Sequence, residues 1–291
     1  MKRISIVAAI AALSVSVSVY AQTTDIKVIY GEDNRRDVYQ TDRSDIIDIA
    51  DSTVAMISNS NLIQKNDWFE IKTKIYGEDL NLCKNEPFFT QPVAASCSGF
   101  LVGDDLVATA GHCISEDTCD ANSFVFGYQM ESATVAPREA HTDNVYKCAK
   151  VLAHDVTRDQ DYALVKLDRP VRGHRVLTLS AQPVKVDDAV FVVGHPSGLP
   201  TKVSDGANVR KQENGYFVAN LDTYGGNSGS AVFDAKTLAV AGILVRGEQD
   251  FEYDSAFQCR ISKQCKDDKC RGEDVTNISY IAEALNQARV K

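Results

Sequence analysis

The sequence predicts an all-β fold, a sandwich or barrel, followed by a C-terminal α-helix. Three observations carry this. From Thr53 onward short apolar runs follow one another closely, such as Phe100-Leu101-Val102, Leu106-Val107-Ala108, Tyr162 to Leu167 and Leu238 to Val245. Turn formers separate such runs, among them Gly103-Asp104, Pro196-Ser197-Gly198 and Gly225-Gly226-Asn227. Many short strands at this spacing build sandwiches and barrels rather than βαβ units. At the end of the chain the period changes. Ile278, Ile281, Ala282 and Leu285 recur at helical spacing behind Thr276, a residue able to cap, which predicts a helix over 276–288.

The chain has 291 residues, of which 44% are hydrophobic, ample for one large β unit or two domains. It carries 31 Lys and Arg against 40 Asp and Glu, a formal net charge of -9. That balance opposes nucleic-acid binding, which needs a basic face for phosphates. There is no internal repeat and no low-complexity tract.

The elements follow in order. Lys2 and Arg3 precede an apolar run from Ile4 to Val19, and Val19-Tyr20-Ala21 puts small residues where a signal peptidase reads. Residues 1–21 are expected to be a signal peptide cut after Ala21, which makes the mature chain secreted or periplasmic. The run is short for a bilayer span, so no membrane span is expected in the mature chain. Without Lys2 and Arg3 the mature charge becomes -11. Residues 22–46 are polar and dotted with charge, an N-terminal arm or short pro-segment. Ser44 to Ser52 reads as one amphipathic turn with Ile46, Ile47 and Ile49 apolar. Arg35-Arg36 offers a dibasic cut or a solvated pair. Asn277-Ile278-Ser279 has the form of a glycosylation acceptor, but inside the predicted helix it reads as a chance match. Eight cysteines in an exported chain, with no Cys-x-x-Cys pair and no histidine at zinc spacing, read as disulfides, and no metal or other cofactor is expected.

Three segments carry chemistry together: Thr109-Ala110-Gly111-His112-Cys113, Asp161-Tyr162-Ala163-Leu164-Val165-Lys166-Leu167 and Gly225-Gly226-Asn227-Ser228-Gly229-Ser230. A serine nucleophile needs a base to take its proton, and the base needs a buried carboxylate to fix its tautomer. His112, Asp161 and Ser228 supply these roles in chain order. Ser228 lies between glycines, where a tight loop can approach a carbonyl. In that loop the Gly226 and Ser228 amides can form an oxyanion hole. Asp155 and Asp168 compete with Asp161, and Ser180 and Ser230 with Ser228, but none has the matching frame. His141, His154 and His174 read as surface or satisfied residues. His195 sits in a turn, Gly194-His195-Pro196-Ser197-Gly198, of a kind that can border a cleft.

The three segments resemble the chymotrypsin-fold serine endopeptidases. Gly-Gly-Asn-Ser-Gly-Ser is similar to the bacterial, glutamyl-endopeptidase-like branch, and Val28-Ile29-Tyr30 with Asn34-Arg35 loosely resembles that branch's mature amino end. The resemblance covers about 90–290. It implies two six-stranded antiparallel β-barrels, residues 47–170 with His112 and Asp161 and residues 171–291 with Ser228 and the terminal helix. It also implies a Cys97–Cys113 disulfide around the histidine loop. The partners of Cys83, Cys119, Cys148, Cys259, Cys265 and Cys270 stay open. Animal relatives carry a buried Asp where Asn227 stands; Asn has no charge and demands no amino-terminal partner.

The same resemblance places the primary substrate pocket at Asp222, Thr223, Leu244 and Arg246. An acid at Asp222 can select Lys or Arg. Thr223 fits acidic-selective members, but Leu244 stands where they carry His. Arg246 could pair with Asp222 or with an acidic substrate residue. Basic, acidic and apolar or broad preferences therefore stay open. The expected function is a secreted serine endopeptidase (EC 3.4.21.-) that acts through an acyl-enzyme, as a monomer on protein or peptide substrates. A catalytically silent binding protein on the same fold is the alternative, and it would normally have lost a triad member.

Overall fold

The computed structural model describes residues 28–290. The leader expected over 1–21 and the first residues of the arm lie outside them. Twelve strands form the body. The first six are β1 (Thr53–Ser58), β2 (Cys97–Gly103), β3 (Leu106–Thr109), β4 (Asn122–Phe126), β5 (Val145–Val156) and β6 (Asp161–Leu167). They close into an antiparallel barrel in the order β1-β4-β5-β6-β3-β2. The second six are β7 (Ala189–Gly194), β8 (Lys202–Gln212), β9 (Tyr216–Ala219), β10 (Ala231–Asp234), β11 (Val240–Arg246) and β12 (Glu273–Asn277). Their order is β7-β10-β11-β12-β9-β8, and the β7–β8 pairing closes the ring. The two barrels thus repeat one topology, as the all-β, two-barrel expectation requires.

The strand period of two sorts each strand between two cores. In β6 Ala163, Val165 and Leu167 fill the first barrel. Leu164 between them faces the cluster that joins the barrels. In β11 a bulge at Ala241 interrupts the alternation, so Ala241 and Leu244 fill the second barrel while Val240, Ile243 and Val245 face the joining cluster. Phe191 and Phe233, stacked with ring centroids 4.9 Å apart, also belong to that cluster. Closed barrels leave no long exposed edge, which removes the main aggregation hazard of an all-β chain.

The terminal helix runs Ser279–Val290, not from 276. Thr276 is spent in β12, paired to Tyr216 and Ile243, so the ladder takes the residue expected to cap. Ile278, Ile281, Ala284 and Leu285 then bury against the joining cluster. The helix at Ser44–Ala50 forms as expected, with Ile46 and Ile49 buried and Ile47 outward.

The arm pairs with the second half of the chain from Ile29 and joins the second barrel's sheet at Arg35–Asp37. Ile29–Tyr30 pairs in parallel with Gln264–Cys265, and Arg35–Asp37 pairs with Lys202–Ser204. Arg35 corrects the solvated-pair reading. Its side chain is 1% exposed and clamps Asp33. Its guanidinium lies 3.9 Å from the centre of the Tyr224 ring, so a planar cation stacked on an aromatic offsets its own burial. Lys202 is likewise buried, and its ammonium meets Asp37 at 2.6 Å, Gln91 at 2.8 Å and the Pro200 carbonyl at 2.9 Å. Burial lowers its pKa to about 8, with Asp37 opposing.

All eight cysteines pair. Cys97–Cys113 closes the histidine loop as expected; Cys83–Cys259, Cys119–Cys148 and Cys265–Cys270 settle the pairings left open. Among the described residues no helix is long and apolar enough to cross a membrane.

Candidate active site

The site lies where the two barrels meet. His112 sits in a single helical turn, Gly111–Cys113, just after β3. Gly111 is required there, because a Cβ would come within 2.2 Å of the Asp155 carbonyl. The His154 ring bonds the Gly111 carbonyl at 3.0 Å, so this satisfied histidine steadies the loop. Asp161 opens β6, with a side chain only 3% exposed. Its Oδ2 lies 2.8 Å from His112 Nδ1, and its Oδ1 accepts from the His112 amide at 3.1 Å. The carboxylate therefore holds both the ring and the backbone that carries it.

Ser228 belongs to the loop between β9 and β10. Gly226 and Gly229 on either side have φ of +85° and +88°, values that favour glycine. A Cβ on Gly229 would lie 2.1 Å from the Ser98 carbonyl. The Ser98 amide donates to the Ser228 carbonyl at 2.8 Å, and Ser98 Oγ donates to the Gly226 carbonyl at 3.2 Å. A serine of the first barrel thus positions the Ser228 loop of the second. Ser228 Oγ is buried and makes no hydrogen bond among the described residues.

The loop's amides alternate. Those of Gly225, Asn227, Gly229 and Ser230 are bonded, to Asp250 Oδ2 and to the carbonyls of Tyr224, Leu244 and Asn227. Those of Gly226 and Ser228 take no partner among the described residues. Two unengaged amides flank the Ser228 hydroxyl, the arrangement an oxyanion site needs. Asn227 is buried and accepts from Ser230 Oγ at 2.8 Å. A neutral amide serves at that place without an amino-terminal cation.

His195 is fully buried. Its amide donates to Ser98 Oγ at 3.0 Å and its Nδ1 bonds the Leu199 carbonyl at 3.0 Å. Burial drives its pKa down to about 3, so it stays neutral and supports the loop. The expected pocket residues separate. Thr223 Oγ1 meets Glu273 Oε2 at 3.0 Å. Asp222 is held by the Tyr30 amide at 2.7 Å and the Asn34 amide at 2.9 Å.

The trypsin-like peptidase domain model matches residues 97–243, half of the chain. The chain belongs to the trypsin-like peptidases. Over 154 residues it is 29% identical to a glutamyl endopeptidase of Bacillus licheniformis, a match covering 48% of this chain and 45% of that one. Over 143 residues it is 27% identical to an extracellular metalloprotease of Bacillus subtilis, covering 47% and 45%. The match spans under half the length of these curated relatives. The structure of a Glu endopeptidase in complex with MPD shares the fold, with a TM-score of 0.53, 14% identity, and coverage of 91% of this chain and 100% of that one. The resemblance to the glutamyl-endopeptidase-like branch therefore holds. In this chain, Cys97, His112 and Cys113 form the one close group of metal-ligand types among the described residues. Their two sulfurs are joined to each other, so they offer no thiolate.

Two pocket expectations are corrected. Leu244 lies in the interior of the second barrel, fully buried; the strand period turns it inward. Arg246 does not pair with Asp222. Its Nε bonds Asp274 at 3.2 Å, its Nη2 donates to the Arg158 carbonyl at 2.7 Å, and its Nη1 lies 3.8 Å from Asp161 Oδ2. It bridges the barrels beside Asp161. Glu273 and Asp274 escaped the sequence reading, since two acids ahead of a short Val-Thr run carry no motif.

Proposed function

We propose that the chain is a secreted serine endopeptidase with His112, Asp161 and Ser228 as its triad. The contact between His112 Nδ1 and Asp161 Oδ2, 2.8 Å long with the acid buried, carries this reading. An acid so placed holds the imidazole with Nδ1–H toward the carboxylate and leaves Nε2 to accept a proton. Ser228 Oγ then attacks the substrate carbonyl while His112 takes its proton. The Gly226 and Ser228 amides receive the oxyanion, each such donor being worth about 3 kcal/mol. His112 returns the proton to the leaving amine, an acyl-enzyme remains, and water releases it by the same steps. Protein or peptide substrates, a monomeric state and no cofactor belong to the same proposal, as does export through residues 1–21.

Labelling the purified protein with a fluorophosphonate probe tests it. Stoichiometric labelling of wild type, lost in a folded Ser228→Ala variant, is the expected result. Labelling that survives in the variant, or a wild type that takes no label, overturns it.

A further inference from the structure

We infer that Ser197 is a positioning residue: its left-handed backbone holds the Gly225–Gly226 peptide so that the Gly226 amide faces the oxyanion. This rests on the serine endopeptidase reading above. The Gly225 carbonyl and the Gly226 amide belong to one peptide unit and point opposite ways, since the unit is planar and trans. A residue that fixes the carbonyl therefore fixes the amide. Glycine stands on both sides of this unit, so turning it over meets little steric resistance. Turned over, it would aim a carbonyl at the place where a developing negative charge needs a donor. The loop's own sequence does not choose between the two states, so a contact from outside it must.

That contact comes from the turn between β7 and β8. The Ser197 amide donates to the Gly225 carbonyl at 2.5 Å. There Ser197 has φ +52° and ψ +21°, a left-handed conformation that an L residue enters at a cost. The turn is fixed on several sides. The Gly198 amide donates to the His195 carbonyl at 3.0 Å, and the Gly198 carbonyl accepts from the Ala94 amide at 3.0 Å. The Tyr76 hydroxyl bonds the Ser197 side chain. A second tie runs beside the first, since the His195 amide donates to Ser98 Oγ, which donates on to the Gly226 carbonyl. A Cβ on Gly226 would come within 2.9 Å of the Gly198 nitrogen and 3.2 Å of the Ser197 nitrogen, so the turn lies directly on that glycine.

The peptide is thus held at every polar group but one. Asp250 Oδ2 takes the Gly225 amide, Ser197 the Gly225 carbonyl and Ser98 the Gly226 carbonyl. The Gly226 amide is left, and it has no partner among the described residues. Strain kept in a turn that touches a reactive loop, rather than relieved by a glycine, points to a use for it. An oxyanion donor acts on the transition state, so Ser197 governs rate more than substrate affinity. The role belongs to its backbone. Glycine enters the left-handed region freely, and β-branched residues resist it. Ser197 also borders an open cavity of about 380 Å³ with Ala94 and Ala95, which leaves room for added methyl groups.

The test compares wild type with Ser197→Val and Ser197→Gly on one peptide coumarin amide. Urea midpoints show that each is folded, and fluorophosphonate labelling shows that wild type is active. In Ser197→Val kcat is expected to fall by about 100-fold with KM within about threefold, and affinity for a peptide aldehyde, whose adduct sets an oxygen in the hole, to weaken alongside kcat. Ser197→Gly should recover the rate to within about threefold of wild type. If the Val variant does not fold, Ser197→Thr, which keeps the hydroxyl and adds the β-branch, decides by the same readouts with a loss of about tenfold. A β-branched variant that folds and keeps wild-type kcat, or that loses KM instead, overturns this inference and leaves the endopeptidase reading standing. So does a Ser197→Gly variant as slow as the β-branched one, because the side chain would then carry the effect. A wild type that takes no label overturns both.

Discussion

Asp161 binds His112 twice, through the ring at 2.8 Å and through the backbone amide at 3.1 Å. Asp161→Asn keeps the size and loses the acceptor. The Asn NH2 facing Nδ1 would favour the opposite tautomer, with the proton on Nε2 and no base toward Ser228. Cleavage efficiency per labelled site should fall by about 10³–10⁴-fold. A loss under tenfold in pH-controlled kinetics would show that Asp161 is not the triad acid.

Cys97 and Cys113 tie β2 to the turn that carries His112, across a separation of 16 residues. Replacing both with Ser should lower stability by about 3 kcal/mol in the chain-entropy view. Catalysis should fall too, because Cys113 is the neighbour of the base. Urea unfolding and cleavage assays on the double variant check both effects.

Arg246 bridges the barrels, with Asp274 2% exposed on one side and Asp161 3.8 Å away on the other. Arg246→Met removes one of the two cations on Asp274 and leaves Arg271. Because one partner remains, the expected loss is about 2 kcal/mol, below the range for a buried charge left wholly alone. A urea midpoint equal to wild type at unchanged slope would show that the bridge adds nothing.

The candidate residues His112, Asp161 and Ser228 were legible because each sits in a local frame that shows in sequence. Ser228 needs its flanking glycines, His112 needs Gly111 at a crowded carbonyl, and Asp161 needs a strand to bury it. The strands were legible as short apolar runs between turn formers, and the two-barrel arrangement followed only from the family resemblance; the structure adds that a run such as Ala163-Leu164-Val165 serves two cores at once. The contacts of Thr223 and Arg246 were not legible, because their partners come from distant segments. Thr223 meets Glu273 across 50 residues, and Arg246 finds Asp274 rather than Asp222 through the β11–β12 register. Thr276 misled for a related reason. Its capping ability is local, but its place is fixed by two neighbouring strands.

Asp222 links the arm to the chain leading into the Ser228 loop, and this makes stability depend on pH. Two amides of the arm bond its carboxylate and favour the charged form. Burial outweighs them and raises its pKa to about 7. In the unfolded chain an Asp titrates near ~3.9. Between those values the folded state holds a proton that the unfolded state has released. Stability from this group is therefore full below about pH 4, falls as pH rises, and is gone above about pH 7. The ceiling is about 4 kcal/mol, from three units at 1.36 kcal/mol each. Asp222→Asn cannot titrate, so its profile should lack this slope. Its amide would also set a donor against the Asn34 amide and lower stability at acid pH. Wild type should thus exceed the variant most at pH 4.5, with the gap narrowing by pH 8. Urea midpoints for both proteins at the two pH values give the answer, and parallel profiles would show that Asp222 is ionised throughout.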